Sequence, residues 1–127
     1  MQVAKQVIVM RKDLNMRKGK MIAQGAHASL AVLLRAGTLT DGACTIALTA
    51  PMQAWLGGRF TKVCVYVTSE AELDAVVARA AAAGVPCARI VDAGQTEFHG
   101  VPTATCCAVG PAWTEDVDAI TGALPLL

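Results

Sequence analysis

Aromatic side chains are scarce in this chain, with two Phe, two Trp and one Tyr among 127 residues. Hydrophobic residues nevertheless make up 54% of it, so the core must be closed with Ala, Val, Leu and Ile. That composition suits an α/β domain with tight helix–sheet contacts. No run is long and apolar enough to span a bilayer, and the N-terminus lacks the usual apolar core of a signal peptide. The expectation is a soluble cytoplasmic protein, folded as one domain over residues 1–127 and burying about two-thirds of its unfolded surface.

Cysteine pairs at C-x-x-C spacing are also missing. The five cysteines are Cys44, Cys64, Cys87, Cys106 and Cys107. All but Cys44 sit in apolar runs, where cysteine behaves as a small hydrophobe, so reduced core thiols are expected. Neighbours on a strand face opposite ways, which argues against a metal shared by Cys106 and Cys107. No metal or other cofactor is expected. No serine or cysteine has a positioned base nearby in the sequence pattern, which points to direct attack by water over an acyl-enzyme.

Acids are few in the first half. Residues 1–62 hold nine basic and two acidic side chains, and residues 63–127 hold two basic and eight acidic ones. The halves therefore carry +7 and −6, although the whole chain is +1. Such a split suggests a side that faces a polyanion, and it is also compatible with self-association.

The basic charge is densest in the stretch that organises the chain, KQVIVMRKDLNMRKGKMIAQGAHASL from Lys5 to Leu30. Val7 to Met10 reads as a buried strand. Asp13 and Asn15 are helix-start residues, predicting a helix from about Met16 to Ala36, stopped by Gly37. Arg11, Lys12, Arg17, Lys18 and Lys20 crowd the turn and the first helical turn, opposed locally only by Asp13. Cations there face the positive end of the helix dipole, an unfavourable arrangement of roughly 0.3–1 kcal/mol per charge. It becomes favourable when an anion binds, because helix N–H groups and cations then converge on it. Phosphate binding is the reading favoured over a solvated basic turn. Lys20, Gln24 and His27 fall on one helical face. The rest of the helix is apolar enough to expect deep burial, and His27 is expected to be a packed, hydrogen-bonded histidine.

Further along, Gly37 to Ala50 reads as a turn-rich connection, Pro51 to Leu56 as a short helix and Lys62 to Val67 as a strand. Ser69 and Glu72 form a capping box before a helix that ends at Gly84. Cys87 to Val91 reads as a third strand. The segment from Asp92 to Thr105 is too short for a helical crossover, so the strand Thr105 to Val109 should return antiparallel and be broken by Gly110–Pro111. A last helix spans about Glu115 to Thr121, and Leu124 to Leu127 is an apolar tail.

This order predicts a three-layer α/β/α domain on a four-stranded mixed sheet whose last strand is antiparallel. The first and third strands should be parallel, so Arg11 and Asp92 leave the sheet at one edge, where ligands of such folds bind. The fourth strand starts at that edge, bringing Thr103 and Thr105 with it. Asp92 suits an Asx-turn in its own loop as well as action on a substrate; closeness to Lys20 would favour the second. Such a pair could hold a water, an amine or an oxyanion.

The segments QVIVMRKDLNMRKGKMIAQGAHA, DAGQTEF, TATCCAVGP and ITGALPLL resemble the second, archaeal and eukaryotic type of peptidyl-tRNA hydrolase. The resemblance spans nearly the whole chain and is specific in combining K-G-K-x-x-x-Q, D-A-G-x-T and T-x-T. It implies a mixed-sheet α/β/α hydrolase that cleaves the ester between a peptide and the 3′ end of tRNA, needs no metal and often dimerises. The implied active-site residues match Lys20, Gln24, Asp92, Thr96, Thr103 and Thr105. Phosphates of the acceptor end would fall to Lys12, Arg17 and Lys18, with Arg11. The loop TEFHGVPTAT is one residue longer than the family pattern and adds an exposed His99. Two alternatives stay open: a non-catalytic RNA- or partner-binding module on the same scaffold, and an esterase for a small phosphorylated substrate.

Overall fold

A computed structural model describes residues 2–127. Four strands form the main sheet: β1 (Ala4–Arg11), β4 (Lys62–Val67), β5 (Cys87–Asp92) and β6 (Thr103–Trp113). The helices are α1 (Lys18–Arg35), α2 (Ala50–Gly57), α3 (Glu70–Ala82) and α4 (Thr114–Thr121). Between α1 and α2 lies a separate two-stranded ribbon, β2 (Gly37–Thr40) and β3 (Ala43–Ile46).

The sheet order is β4-β1-β6-β5. β1 and β4 run parallel, from Gln6 opposite Lys62 to Arg11 opposite Val67. β6 lies antiparallel to both β1 and β5, so those two strands share a direction without touching. The expected mixed sheet with an antiparallel last strand is therefore present.

Alternation along β1 divides the core between the two faces. Val7 and Val9 point into a cluster with Val65, Val67, Val109, Leu73 and Val76 of α3, and Val117 of α4. Ile8 and Met10 point the other way, towards Ala28 and Val32 of α1, Cys106 and Ala108. Helices thus cover both faces. Each fully buried aliphatic side chain contributes about 1.5–3 kcal/mol by leaving water. Ala28, Ala88 and Ala108 have no accessible surface, and such small residues let α1 lie close to the sheet.

Several boundaries differ from the expectations. α1 begins at Lys18, two residues after Met16, because Asn15 takes a left-handed conformation (φ 53°) and Met16 is buried below the turn. Asp13 does not cap the helix; it pairs with Arg11. The connection after α1 contains a hairpin whose turn, Asp41–Gly42, has both residues at positive φ. β6 is not broken at Gly110–Pro111 but continues to Trp113 through a cis peptide bond. A register shift between Lys5 and Val7 of β1 absorbs the irregularity. Gly110 is required there, since its φ is +87° and an added Cβ would meet Lys5 O at 2.7 Å. Its N–H donates to Pro86 O, and its carbonyl accepts from the buried Gln6 amide.

α1 is less buried than its composition suggested. Ile22, Leu30 and Leu34 are exposed, because the helix covers mainly β5 and β6 and leaves β4 open on that side. For the same reason Cys64 of β4 is exposed, contrary to its expected core position. His27 is exposed as well, and among the described residues none is hydrogen-bonded to its side chain. The apolar tail covers the outer edge of β4, with Tyr66 N–H donating to Pro125 O and Leu127 N–H to Cys64 O.

Candidate active site

Three elements deliver polar side chains to one end of the sheet. The first turns of α1 carry Lys20 and Gln24, β5 ends on Asp92, and β6 opens with Thr103 to Thr105. Asp92 lies opposite Thr103 in the ladder, so the strand end and its return are adjacent by register.

Asp92 is the hub. Its Oδ1 accepts from Lys20 Nζ at 2.9 Å and from Gln24 Nε2 at 3.2 Å. Its Oδ2 accepts from Gly94 N–H at 2.9 Å. The two roles considered for Asp92, loop cap and partner of Lys20, are therefore divided between its two oxygens. Gly94 fits only as glycine: φ is +84°, and an added Cβ would lie 2.3 Å from Val101 O. The side chains of Lys20 and Asp92 are 13% and 14% exposed, enough to meet a ligand from one side.

Lys20 also donates to Thr96 Oγ1 at 2.7 Å. Thr105, fully buried, donates its hydroxyl hydrogen to Gln24 Oε1 at 2.6 Å. The amide of Gln24 is thereby fixed with its NH2 group towards Asp92. Cys106 adds a thiol donor to the Gln24 backbone carbonyl at 3.3 Å. Of the residues expected at the site, Lys20, Gln24, Asp92, Thr96 and Thr105 are joined in one network. Thr103 is beside them, but its hydroxyl donates to Val101 O.

The Lys20 ammonium holds the Asp92 carboxyl below the usual aspartate range, helped by the Gly94 N–H and Gln24 amide and opposed by burial. Asp92 is therefore ionised at neutral pH, and the pair is a fixed charge couple able to orient a water and to meet developing negative charge. Burial pushes the Cys106 thiol up to about 11, so no thiolate forms there at neutral pH. Among the described residues, no group of three or more His, Cys, Asp or Glu side chains could hold a metal ion.

The cations expected to bind phosphate separate into two kinds. Arg11 is used internally, donating to Ala104 O and to both Asp13 oxygens, with a 12% exposed side chain. Lys12, Arg17 and Lys18 are exposed. Lys12 Nζ lies 4.4 Å from the Tyr66 ring centre, and Arg17 reaches Glu97 at 3.4 Å. No side chain caps α1, whose N-cap residue is Arg17 and whose first turn contains no acid.

Sequence reasoning placed none of Glu97, Phe98 and Cys106 at the site, taking Cys106 only as a core thiol. A signal for Cys106 was available: it neighbours Thr105 on a strand whose start was already placed at the site edge. Phe98 closes the segment DAGQTEF, but nothing in that segment gave it a role, because loop conformation alone brings its ring to 5.7 Å from Lys20 Nζ.

The network residues span the chain from Lys20 to Thr105, and the comparisons cover the same extent. The family model of the peptidyl-tRNA hydrolase PTH2 matches residues 4–127. A peptidyl-tRNA hydrolase of Methanocaldococcus jannaschii is 42% identical over 123 residues, covering 97% of this chain and 99% of that protein. One from Halobacterium salinarum is 44% identical, covering 96% and 98%, and one from Methanopyrus kandleri is 41% identical, covering 97% of each. A solved chain from Agrobacterium, a protein of unknown function, superposes with a TM-score of 0.60 at 11% identity, over 100% of this chain and 99% of that one, a likeness of fold alone. With its full-length match and its relatives above 40% identity, the chain belongs to the peptidyl-tRNA hydrolase PTH2 family.

Proposed function

We propose that this protein hydrolyses the ester linking a peptide to the 3′ end of tRNA. The observation that carries the reading is the network in which Lys20, Gln24 and Gly94 converge on Asp92, in a chain of this family. Asp92 orients a water and accepts its proton as the water oxygen attacks the ester carbonyl carbon. Lys20 stabilises the oxyanion that forms on the carbonyl oxygen. When the intermediate collapses, the bond to the ribose 3′-oxygen breaks and that oxygen takes the proton from Asp92. The products are a peptide acid and a tRNA with a free terminal hydroxyl. Gln24 and the hydroxyls of Thr96 and Thr105 keep the couple and the ester in place. Thr103, with its hydroxyl committed to Val101, supports the loop.

Lys12, Arg17 and Lys18 hold phosphates of the acceptor end, at the uncapped start of α1. Arg11 serves the same surface indirectly by tying the Asp13 turn to β6. This role places the protein in translation, in the cytoplasm. A homodimer is also part of the reading. It is supported by the exposed Ile22 and Leu30, which with Phe60 and Leu127 flank an apolar groove of about 740 Å³ on the side of α1 facing β4. Sedimentation of the parent and of Leu30→Asp tests it: a monomer at micromolar concentration overturns the dimer.

The activity is tested by peptide release from N-acetylaminoacyl-tRNA, compared with the same ester on adenosine alone. Efficient release from the tRNA and poor release from adenosine is expected. Binding of tRNA without release would leave a binding module, and equal release from both would leave a small-ester esterase.

A further inference from the structure

The chain has five aromatic residues, and only one of them stands at the Lys20–Asp92 couple. Trp55 and Phe60 pack on each other with ring centres 4.3 Å apart, on the other side of α1. Tyr66 lies under Lys12, and Trp113 ends β6 at the opposite edge of the sheet. Phe98 belongs to the loop that carries Thr96, with its ring centre 5.7 Å from Lys20 Nζ.

That loop is held in shape by its own backbone. Gly100 N–H donates to Gly94 O at 2.8 Å and Val101 N–H to Phe98 O at 2.9 Å. Glu97 is drawn to Arg17 across the same rim. Phe98, like Leu14, Met21 and Ile90, packs against the buried cluster that includes Met10 and Met16, and its residue remains half-buried. An aromatic ring is thus held beside the charged couple, with the Lys20 ammonium on its side and part of the residue accessible, in a loop whose Glu97 reaches Arg17 at the start of α1.

We infer that Phe98 is a stacking platform for the base of the 3′-terminal nucleotide, whose ribose carries the scissile ester. This rests on the proposed hydrolysis of peptidyl-tRNA and names the part of the substrate that the loop recognises. The chemistry agrees at three points. Every tRNA ends in adenosine, whose purine offers a broad π-face, and stacking on an aromatic residue tolerates any base beyond it. The base is one ribose away from the ester oxygen, a separation in keeping with the short span from the ring to Lys20. Phosphates 5′ of this nucleotide would lead towards Arg17 and Lys18. The platform is a binding group and takes no part in bond-breaking.

The test uses Phe98→Leu, which keeps apolar packing but lacks a π-face, and Phe98→Trp, which restores one. Turnover is measured on peptidyl-tRNA ending in adenosine and on the same substrate with an abasic terminal ribose. For Phe98→Leu, KM should rise about ten-fold on the first substrate, in line with the loss of one stacked base, with kcat little changed. On the abasic substrate it should match the parent, and Phe98→Trp should recover the parental KM. In addition, an acceptor-stem duplex with 2-aminopurine at its 3′ end should lose fluorescence on binding the parent and not on binding Phe98→Leu. Equal losses on both substrates would make Phe98 a packing residue, and parental kinetics in Phe98→Leu would remove it from recognition; either overturns the platform while leaving the activity standing. Failure of the parent to release peptide would overturn the activity and the platform together.

Discussion

Thr105 and Gln24 are joined by a 2.6 Å hydrogen bond in which the threonine hydroxyl donates to the amide oxygen. They are 81 residues apart, and neither side chain is more than slightly exposed. The bond settles which end of the amide faces Asp92, because a carbonyl oxygen turned that way would confront a carboxylate.

Thr105→Val tests this arrangement. Valine keeps the shape but leaves the Gln24 carbonyl buried and unsatisfied, which should destabilise the fold by about 1–3 kcal/mol. Urea unfolding reads that loss, and the rate of peptide release should fall with it as the amide loses its fixed orientation. A variant of unchanged stability and rate would show that the bond organises nothing.

Lys20→Ala and Asp92→Asn should each lower peptide release by a factor of about 10² or more, as expected for loss of an oxyanion donor or a general base. In the proposed mechanism the two groups act on one transition state, so the double variant should be little slower than the worse single one. Near-parental turnover in folded single variants would move the active site elsewhere.

The depressed carboxyl of Asp92 has a consequence for stability against pH. Its folded value lies below its unfolded one of about 3.9, so its contribution is complete above that value and lost as pH falls through the folded value. Carbon NMR of the Asp92 carboxyl should find it titrating below the ordinary range in the parent. In Lys20→Met the titration should move upward, because its largest cause is gone. An identical midpoint in both proteins would deny Lys20 that role.

Salt should report on the tRNA surface. The log of affinity is expected to fall with log salt by roughly 0.7–0.9 per phosphate contact. Replacing Arg17 and Lys18 together with Ala should flatten the slope by about 1–2 and weaken all tRNAs alike, since phosphates carry no sequence information. Lys20→Ala should affect mainly the chemical step. A slope unchanged in the double variant would leave the basic turn as a solvated surface.

Thiol chemistry should be irrelevant to turnover. Cys44 and Cys64 are exposed and Cys106 is buried with its thiol pushed up to about 11. Brief alkylation should therefore modify Cys44 and leave peptide release intact, as should a strong chelator. Loss of activity to either reagent would point to a thiol or metal step absent from this mechanism.

The sheet was legible because periodicity and loop length reported it directly. Val7 to Met10, a short and largely β-branched apolar run, suited a buried strand, and the short segment between Asp92 and Thr105 turned the next strand back antiparallel. From that topology alone, Lys20, Asp92 and Thr105 fell on one edge. The hairpin was missed although Asp41–Gly42 is the turn pair of a type I′ loop, flanked by Thr38, Leu39, Thr40 and by Cys44, Thr45, Ile46. Its strands are too short and too exposed to show an apolar alternation. Helix α1 was read as buried because its composition is apolar, but composition does not say which strands a helix covers. Thr103 and Phe98 depended on loop dihedrals, which single residues do not encode.

The β2–β3 ribbon supplies no side chain to either hydrophobic cluster and none to the network around Asp92. Its residues are exposed almost throughout, and Leu39 keeps 83% of its surface open. Selection acting on folding and on ester hydrolysis therefore has little hold on it. Changes of length and sequence there cost the core little, and in the laboratory it is a natural position for inserting a peptide tag or a fluorescent reporter without disturbing the chemistry at the far end of the sheet.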